Sequence, residues 1–325
     1  PAVSRNAPAM FAYLIRRILY VVPIGFGVTV LVFALVHIAP GDPISAVVPP
    51  DAPEEVVQEL RKAYGFDKPL PIQYATWLGR VLIGDLGTSV ARGREVVDEL
   101  TLAVPNTLIL AVGGTLLGFT LGAFFGGVAG YFQGRWIDKL ATATAITGVS
   151  VPHYWLGLVL VIIFSVEMNV LPSFGMGPGG STAWQWNVEH LKHLVLPVIT
   201  LSVIPMGIIT RTIRATVAEI LNQEFVQTLH AKGLLNRQVL LHVVKNAAPT
   251  TLAIMGLQLG YLLGGSILVE TVFQWPGTGS LLNSAIFERD LPLLQGTILV
   301  LAMFFVLLNL CVDIMQSVID PRMVR

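Results

Sequence analysis

Charge is scarce in this chain. Only 12% of its 325 residues are Asp, Glu, Lys or Arg, about half the share of an ordinary soluble domain, while 54% are hydrophobic. Twenty Lys+Arg balance twenty Asp+Glu, so no basic excess points to a nucleic-acid partner. A single cysteine, Cys311, excludes an intramolecular disulfide framework and a multi-thiolate metal site. The sequence contains no Gly-Lys dipeptide, and so no P-loop that could cradle a nucleotide. His-Glu-x-x-His and Gly-x-Ser-x-Gly are missing too, so no catalytic residue is nominated. His190 and His193 are spaced to share a metal, but no third ligand is evident, and a structural role is the simpler reading. No metal is therefore assigned. His37 and His153 read as interfacial rings near membrane boundaries.

The charges that exist are separated by long apolar runs. Six stretches lack Lys, Arg, Asp and Glu: Ile18–Val36, Thr101–Gly134, Leu140–Val166, His193–Thr210, Asn246–Val269 and Leu291–Val312. About 20 residues of helix cross roughly 30 Å of hydrocarbon, so each qualifies as a transmembrane helix. The expected class is an all-α polytopic membrane protein. Thr101–Gly134 is too long for one perpendicular span and too short for two, and reads as one tilted helix. The fourth run is short and extends along Arg211 and Arg214, whose side chains can snorkel. The first run ends in Pro40-Gly41-Asp42-Pro43, a turn without a small-residue cleavage site, which reads as a span and not a secretory signal.

Lys and Arg placement sets the orientation. With the amino terminus cytoplasmic, twelve basic residues lie inside: Arg5, Arg16, Arg17, Arg135, Lys139, Arg211, Arg214, Lys232, Arg237, Lys245, Arg322 and Arg325. Only two, Lys192 and Arg289, lie in short outside loops, while six more fall in the long first loop, which translocates regardless of charge. Both termini are then cytoplasmic. The resulting partition is an N-terminal segment (1–17), helix 1 (18–37), an extracytoplasmic cap (38–100), a five-helix domain (101–313) and a tail (314–325).

The cap should hold two short helices. Asp51 offers an N-cap for one running to about Tyr64, and Gly84 stops a second over Ile72–Leu82. On the other side, between spans four and five, Leu221, Phe225 and Leu229 share one face of a helix over about 218–233. Gly233 supplies the left-handed residue that ends it, and Asn236 caps the next.

Glycine spacing predicts contacts. Gly114, Gly118, Gly122, Gly126 and Gly130 recur every fourth residue in span two, as Gly256, Gly260 and Gly264 do in span five. Small residues at this period let membrane helices approach closely, so both spans should be buried in the bundle or in a partner interface. Met255, Gln258 and Tyr261 of span five are candidates for lining a pathway, with helix–helix hydrogen bonding as the competing role. Glu270 and Asp313 are membrane-proximal acids that solvation or a basic neighbour would explain. No acid lies at mid-membrane for a proton relay, and the two halves show no convincing inverted repeat.

Several segments together resemble a known family. Met10–Arg17, Val36-His37-Ile38-Ala39-Pro40-Gly41-Asp42-Pro43, Gly65–Pro69 with Gln73-Tyr74, Gly84-Asp85-Leu86-Gly87-Thr88-Ser89, Val269–Gly279 and Asp320-Pro321-Arg322 are similar to motifs of ABC importer permeases for peptides, opines and nickel. They resemble especially the first permease of dipeptide, oligopeptide and glutathione systems, and residues 1–9 then look like an extension. The resemblance implies a type I permease fold of six transmembrane helices. It also implies a coupling helix at Glu224-Phe225-Val226-Gln227-Thr228-Leu229-His230-Ala231-Lys232-Gly233, with Glu224, Phe225, Leu229, Ala231, Lys232 and Gly233 meeting an ATPase subunit. Leu229 and His230 depart from the usual Ala and Arg but leave the apolar face intact. The implied partners are a second homologous permease, two ATPases that hold ATP and Mg, and an extracytoplasmic solute-binding protein, all at a bacterial inner membrane. No cofactor belongs to the chain itself. Peptide, glutathione-like, opine and nickel-chelate cargo stay open, and a stand-alone secondary transporter is the rival class.

Overall fold

A computed structural model describes residues 7–38, 53–63 and 67–319. The Pro40–Pro43 turn, the Asp51 cap, the side chain of His37 and the Asp320–Arg322 tail fall outside the described residues. Within them the chain is helical: α1 (Ala7–Ile38), α2 (Glu54–Ala63), α3 (Leu70–Leu82), α4 (Val96–Tyr131), α5 (Trp136–Ser150), α6 (His153–Val161), α7 (Val188–Leu221), α8 (Glu224–Ala231), α9 (Asn236–Val272), α10 (Thr278–Phe287) and α11 (Leu291–Ile319). We call the end carrying α2 and α3 the cap end and the end carrying α8 the elbow end.

Five helices, α1, α4, α7, α9 and α11, are long and apolar enough to cross a membrane unbroken. The third apolar run is not one straight helix. It divides into α5 and α6, which meet at an angle of 100° and count as a sixth span only if taken as one broken element. Pro152 causes the break. It disfavours helical geometry in the residue before it, and Val151 accordingly sits at φ −90°, ψ 126°. Beyond α6 the backbone continues through a wide π turn, Ile162–Glu167. The expected extension of the fourth run past Arg214 is present, since α7 continues to Leu221. The fifth helix begins well before its apolar run, at Asn236, and Asn236 is not its cap. That place belongs to Leu235, whose N–H is bonded by the Gln238 side chain at 3.0 Å.

The α4 and α7 backbones lie against each other. The glycines at every fourth residue of α4 face α7: a Cβ at Gly118 would stand 2.9 Å from the Ser202 carbonyl, at Gly126 2.7 Å from that of Thr210, and at Gly130 2.8 Å from that of Arg214. Gly114 and Gly122 meet the Leu201 and Ile209 side chains in the same way. Such close approach maximises dispersion contact where lipid supplies no hydrophobic drive. Gly207 of α7 in turn admits the Ala145 carbonyl of α5. The glycines of α9 behave differently. Gly256 is buried and Gly260 lies under the Phe305 ring of α11, but a side chain at Gly264 would meet nothing within 4 Å. The expected packing face of span five is therefore not continuous within this chain.

Candidate functional site

The elbow begins where α7 stops. Asn222 ends that helix by donating from its side-chain amide to the Ala218 carbonyl at 2.8 Å. Residues 218–221 thus finish α7, and the separate helix is α8 alone, shorter than the expected 218–233. Val226 is buried, with Phe225, Leu229 and Leu221 packed beside it against Ile213, Val217, Ile220, Val239 and Val243. Val226 stands one place from the Phe225/Leu229 stripe and is the deepest anchor. Glu224, Ala231, Lys232 and Gly233 are exposed. Gly233 sits at φ +78°, a left-handed position that costs glycine nothing, and the following Leu234 N–H closes onto the Leu229 carbonyl at 3.2 Å. The outcome is a one-piece hairpin, α7–α8–α9, with a small exposed helix at its tip.

A salt bridge absent from the sequence reading braces this hairpin. Arg214 donates to Asp138 from Nε at 2.9 Å and from Nη2 at 2.7 Å, while the Gly134 N–H donates to the same carboxylate at 2.8 Å. Asp138 is 3% exposed. Arg214 therefore does not simply snorkel; its fork ties the start of α5 to α7, two turns before the elbow. The two residues are 76 apart in sequence, and no spacing rule links them. Asp313 also finds a basic partner: Arg17 lies 2.6 Å away, joining α1 to α11.

At the cap end the Val269–Gly279 segment folds back on α4. Glu270 is fully buried and meets no basic group among the described residues; its Oε2 accepts the N–H groups of Gly279 at 2.7 Å and Ser280 at 3.2 Å. A carboxylate there satisfies the open donors of the α10 amino terminus and opposes its dipole. Trp275 Nε1 donates to the Asn106 carbonyl at 2.9 Å, and Asn106 Nδ2 donates to the Pro276 carbonyl at 2.8 Å. Asp290 performs the matching task for α11. It accepts from the Leu293 N–H at 3.1 Å, the Ala91 N–H at 3.0 Å and the Ser89 hydroxyl, fastening the Gly84–Ser89 segment to the bundle. A cleft of about 480 Å³ opens here between Arg92, Arg94, Glu99, Asn106 and Ser280.

The pathway candidates separate. Gln258 is 7% exposed and points into the bundle, Met255 packs beside the elbow cluster, and Tyr261 is 44% exposed. His153, read as lying near a membrane boundary, is 7% exposed and packs inside the bundle directly after the break at Pro152. Its Nε2 is 3.1 Å from the Tyr261 hydroxyl, with the two rings stacked at 5.8 Å. His190 and His193 do not converge: His190 Nδ1 pairs with Asn187 at 2.8 Å and His193 Nδ1 with the Phe174 carbonyl at 3.0 Å.

Long apolar helices around a glycine-welded pair, with an exposed hairpin tip at one end and pinned loops at the other, are the architecture of a multi-pass membrane protein. The chain belongs to the family described as the inner membrane component of binding-protein-dependent transport systems, whose model matches residues 118–325; the model of that component's N-terminal part matches residues 10–111. It is 36% identical to the dipeptide transport system permease protein DppB of Alkalihalophilus pseudofirmus, over 96% of this chain and 99% of that one. Identity to the glutathione transport system permease protein GsiC of Escherichia coli K12 is also 36%, over 96% and 98% of the two chains. Among solved structures the MetNI methionine ABC transporter, in an inward-facing form, aligns with a TM-score of 0.56 at 16% identity. That alignment covers 68% of this chain and 96% of the other, a likeness of fold.

Proposed function

We propose that this chain is one of two homologous permease subunits of an ATP-driven peptide importer in a bacterial inner membrane. The observation that carries the proposal is the exposed α8 tip on a continuous α7–α8–α9 hairpin, in a chain whose relatives are named dipeptide and glutathione permeases. A binding protein delivers a di-, oligo- or glutathione-like peptide at the cap end, which faces outward; both termini and the elbow face the cytoplasm, as the twelve-to-two placement of basic residues favours. The extracytoplasmic cap spans about 38–100 and the core domain 101–313.

Two ATPase subunits, holding ATP and Mg, receive α8. Glu224, Ala231, Lys232 and Gly233 form the receiving surface, while Phe225 and Leu229 transmit its displacement into the cluster beneath. Nucleotide-driven closure of the ATPases thereby rocks the permease pair between inward- and outward-facing states. Gly233→Pro tests the coupling step. Proline cannot adopt a φ of +78°, so the elbow must refold. Membrane insertion should persist while peptide uptake by the assembled importer falls at least about ten-fold; undiminished uptake with intact ATPase would refute the role of α8.

The pathway runs between the two permeases along α9. Of its three candidates Tyr261 occupies the open face, with Gln258 and Met255 behind it.

A further inference from the structure

The exposed residues of α9 include Leu257, Tyr261, Gly264 and Leu268. Their steps of four, three and four place them on one helical face. Exposed Thr250 and Thr271 extend the same face at either end, and between them the Tyr261 hydroxyl is held by an interior histidine. Along α6 and its π turn, His153 lies about 20 Å of helix from Glu167; along α9, Tyr261 lies about 13 Å from Glu270. His153 and Tyr261 lie within the charge-free runs Leu140–Val166 and Asn246–Val269. An ionisable ring there is costly and calls for a functional reason. Gly265 lies beside the ring: a Cβ there would be in ordinary van der Waals contact with His153 Cε1, at 3.5 Å. Further polar capacity sits alongside. The Gln258 Oε1, one turn from Tyr261, is buried with no hydrogen-bond partner among the described residues.

We propose that His153 and Tyr261 form a hydrogen-bonding step in the peptide pathway, with Tyr261 as the contact to cargo amide groups and His153 as the residue that positions it. This rests on the reading of α9 as pathway-lining. A phenol can donate or accept, so it suits the mixed N–H and C=O edge of a peptide backbone and is indifferent to its side chains. Such a step matches an importer whose selectivity is set elsewhere. His153 Nε2 takes one of the hydroxyl's hydrogen-bonding positions and leaves the remaining ones for cargo. The imidazole follows directly on the 100° break at Pro152.

The test uses the complete importer in proteoliposomes, with radiolabelled dialanine and glutathione as probes. Tyr261→Phe and His153→Phe should each lower peptide delivered per ATP hydrolysed by about ten-fold, the worth of one hydrogen bond. The half-saturating peptide concentration, set by the binding protein, should stay within two-fold. The double variant should be no worse than either single one, because the pair acts as a unit. His153→Gln, which keeps a hydrogen-bonding side chain, should recover more than half of the delivery. Delivery within two-fold of the unsubstituted importer in both Phe variants overturns the proposal. So does a loss that simply tracks a fall in melting temperature, which would make the pair a helix–helix tie. In a Cys311→Ser background, Tyr261→Cys should react with a membrane-impermeant maleimide in at least one nucleotide state. Failure to react in every state overturns the pathway reading itself, and uptake of neither probe overturns the peptide reading; both outcomes are distinct from a silent Phe substitution.

Discussion

Asp138 illustrates how much one side chain can organise in a lipid-embedded bundle. Its carboxylate receives two hydrogen bonds from Arg214 and one from the Gly134 backbone, so the loop before α5, the first turn of α5 and the lower part of α7 are fixed together. Charge-assisted bonds to a group only 3% exposed are worth more than surface ion pairs. Asp138→Asn should therefore lower unfolding stability by about 2 kcal/mol, read as a drop in melting temperature of the detergent-solubilised protein. Arg214→Lys keeps the charge but loses the planar fork, and should cost about half as much. The Arg17–Asp313 pair is different: the side chains are 42% and 25% exposed, so Asp313→Ala should cost less than about 1 kcal/mol in the same assay.

Between helices, glycine sets the distances. A methyl group at Gly126 would stand 2.7 Å from the Thr210 carbonyl and 2.9 Å from Ile213 Cβ, whereas one at Gly127 would meet nothing within 4 Å. Gly126→Ala should destabilise the bundle by about 2 kcal/mol through forced separation of α4 and α7. Its neighbour Gly127→Ala should be neutral or slightly stabilising, because it only removes backbone freedom; thermal melts of the two variants side by side check the contrast. The period of the α4 glycines is plain in the sequence, but that α7 is the helix they meet is not, since spacing names a face and never its partner. Hydropathy also reads straight across Pro152, because apolar content is blind to chain direction; the proline itself was the available sign of the 100° turn. The boundary at Asn222 is hidden for a related reason: Leu221, Phe225 and Leu229 keep one helical period across a point where the backbone changes axis. Residues 138 and 214, or 89 and 290, come together only through the fold, and nothing local announces them.

Across the whole molecule, burial is uneven. The hydrophobic window of α7 is 56% buried and that of α4 28%, against 11% for α1 and for α11. Hydrogen exchange in detergent should therefore be slowest at the amides of α4 and α7 and faster in α1, with α3, which has no buried residue, faster still. A measured order with α1 most protected would contradict this distribution. Polar clasps add to the packing of the periphery: Arg17 to Asp313 at one end, and Asp290 to the Ser89 and Ala91 segment at the other. The interlocked α4–α7 seam has a mechanical corollary. Carbonyl oxygens of one rod are lodged in the notches of the other along four turns, so the two can neither slide nor roll independently without climbing over each other's main chain. They constitute a single stiff beam. A displacement delivered to the foot of α7 must reappear undiminished along α4, and whatever yields in this protein must yield outside that beam.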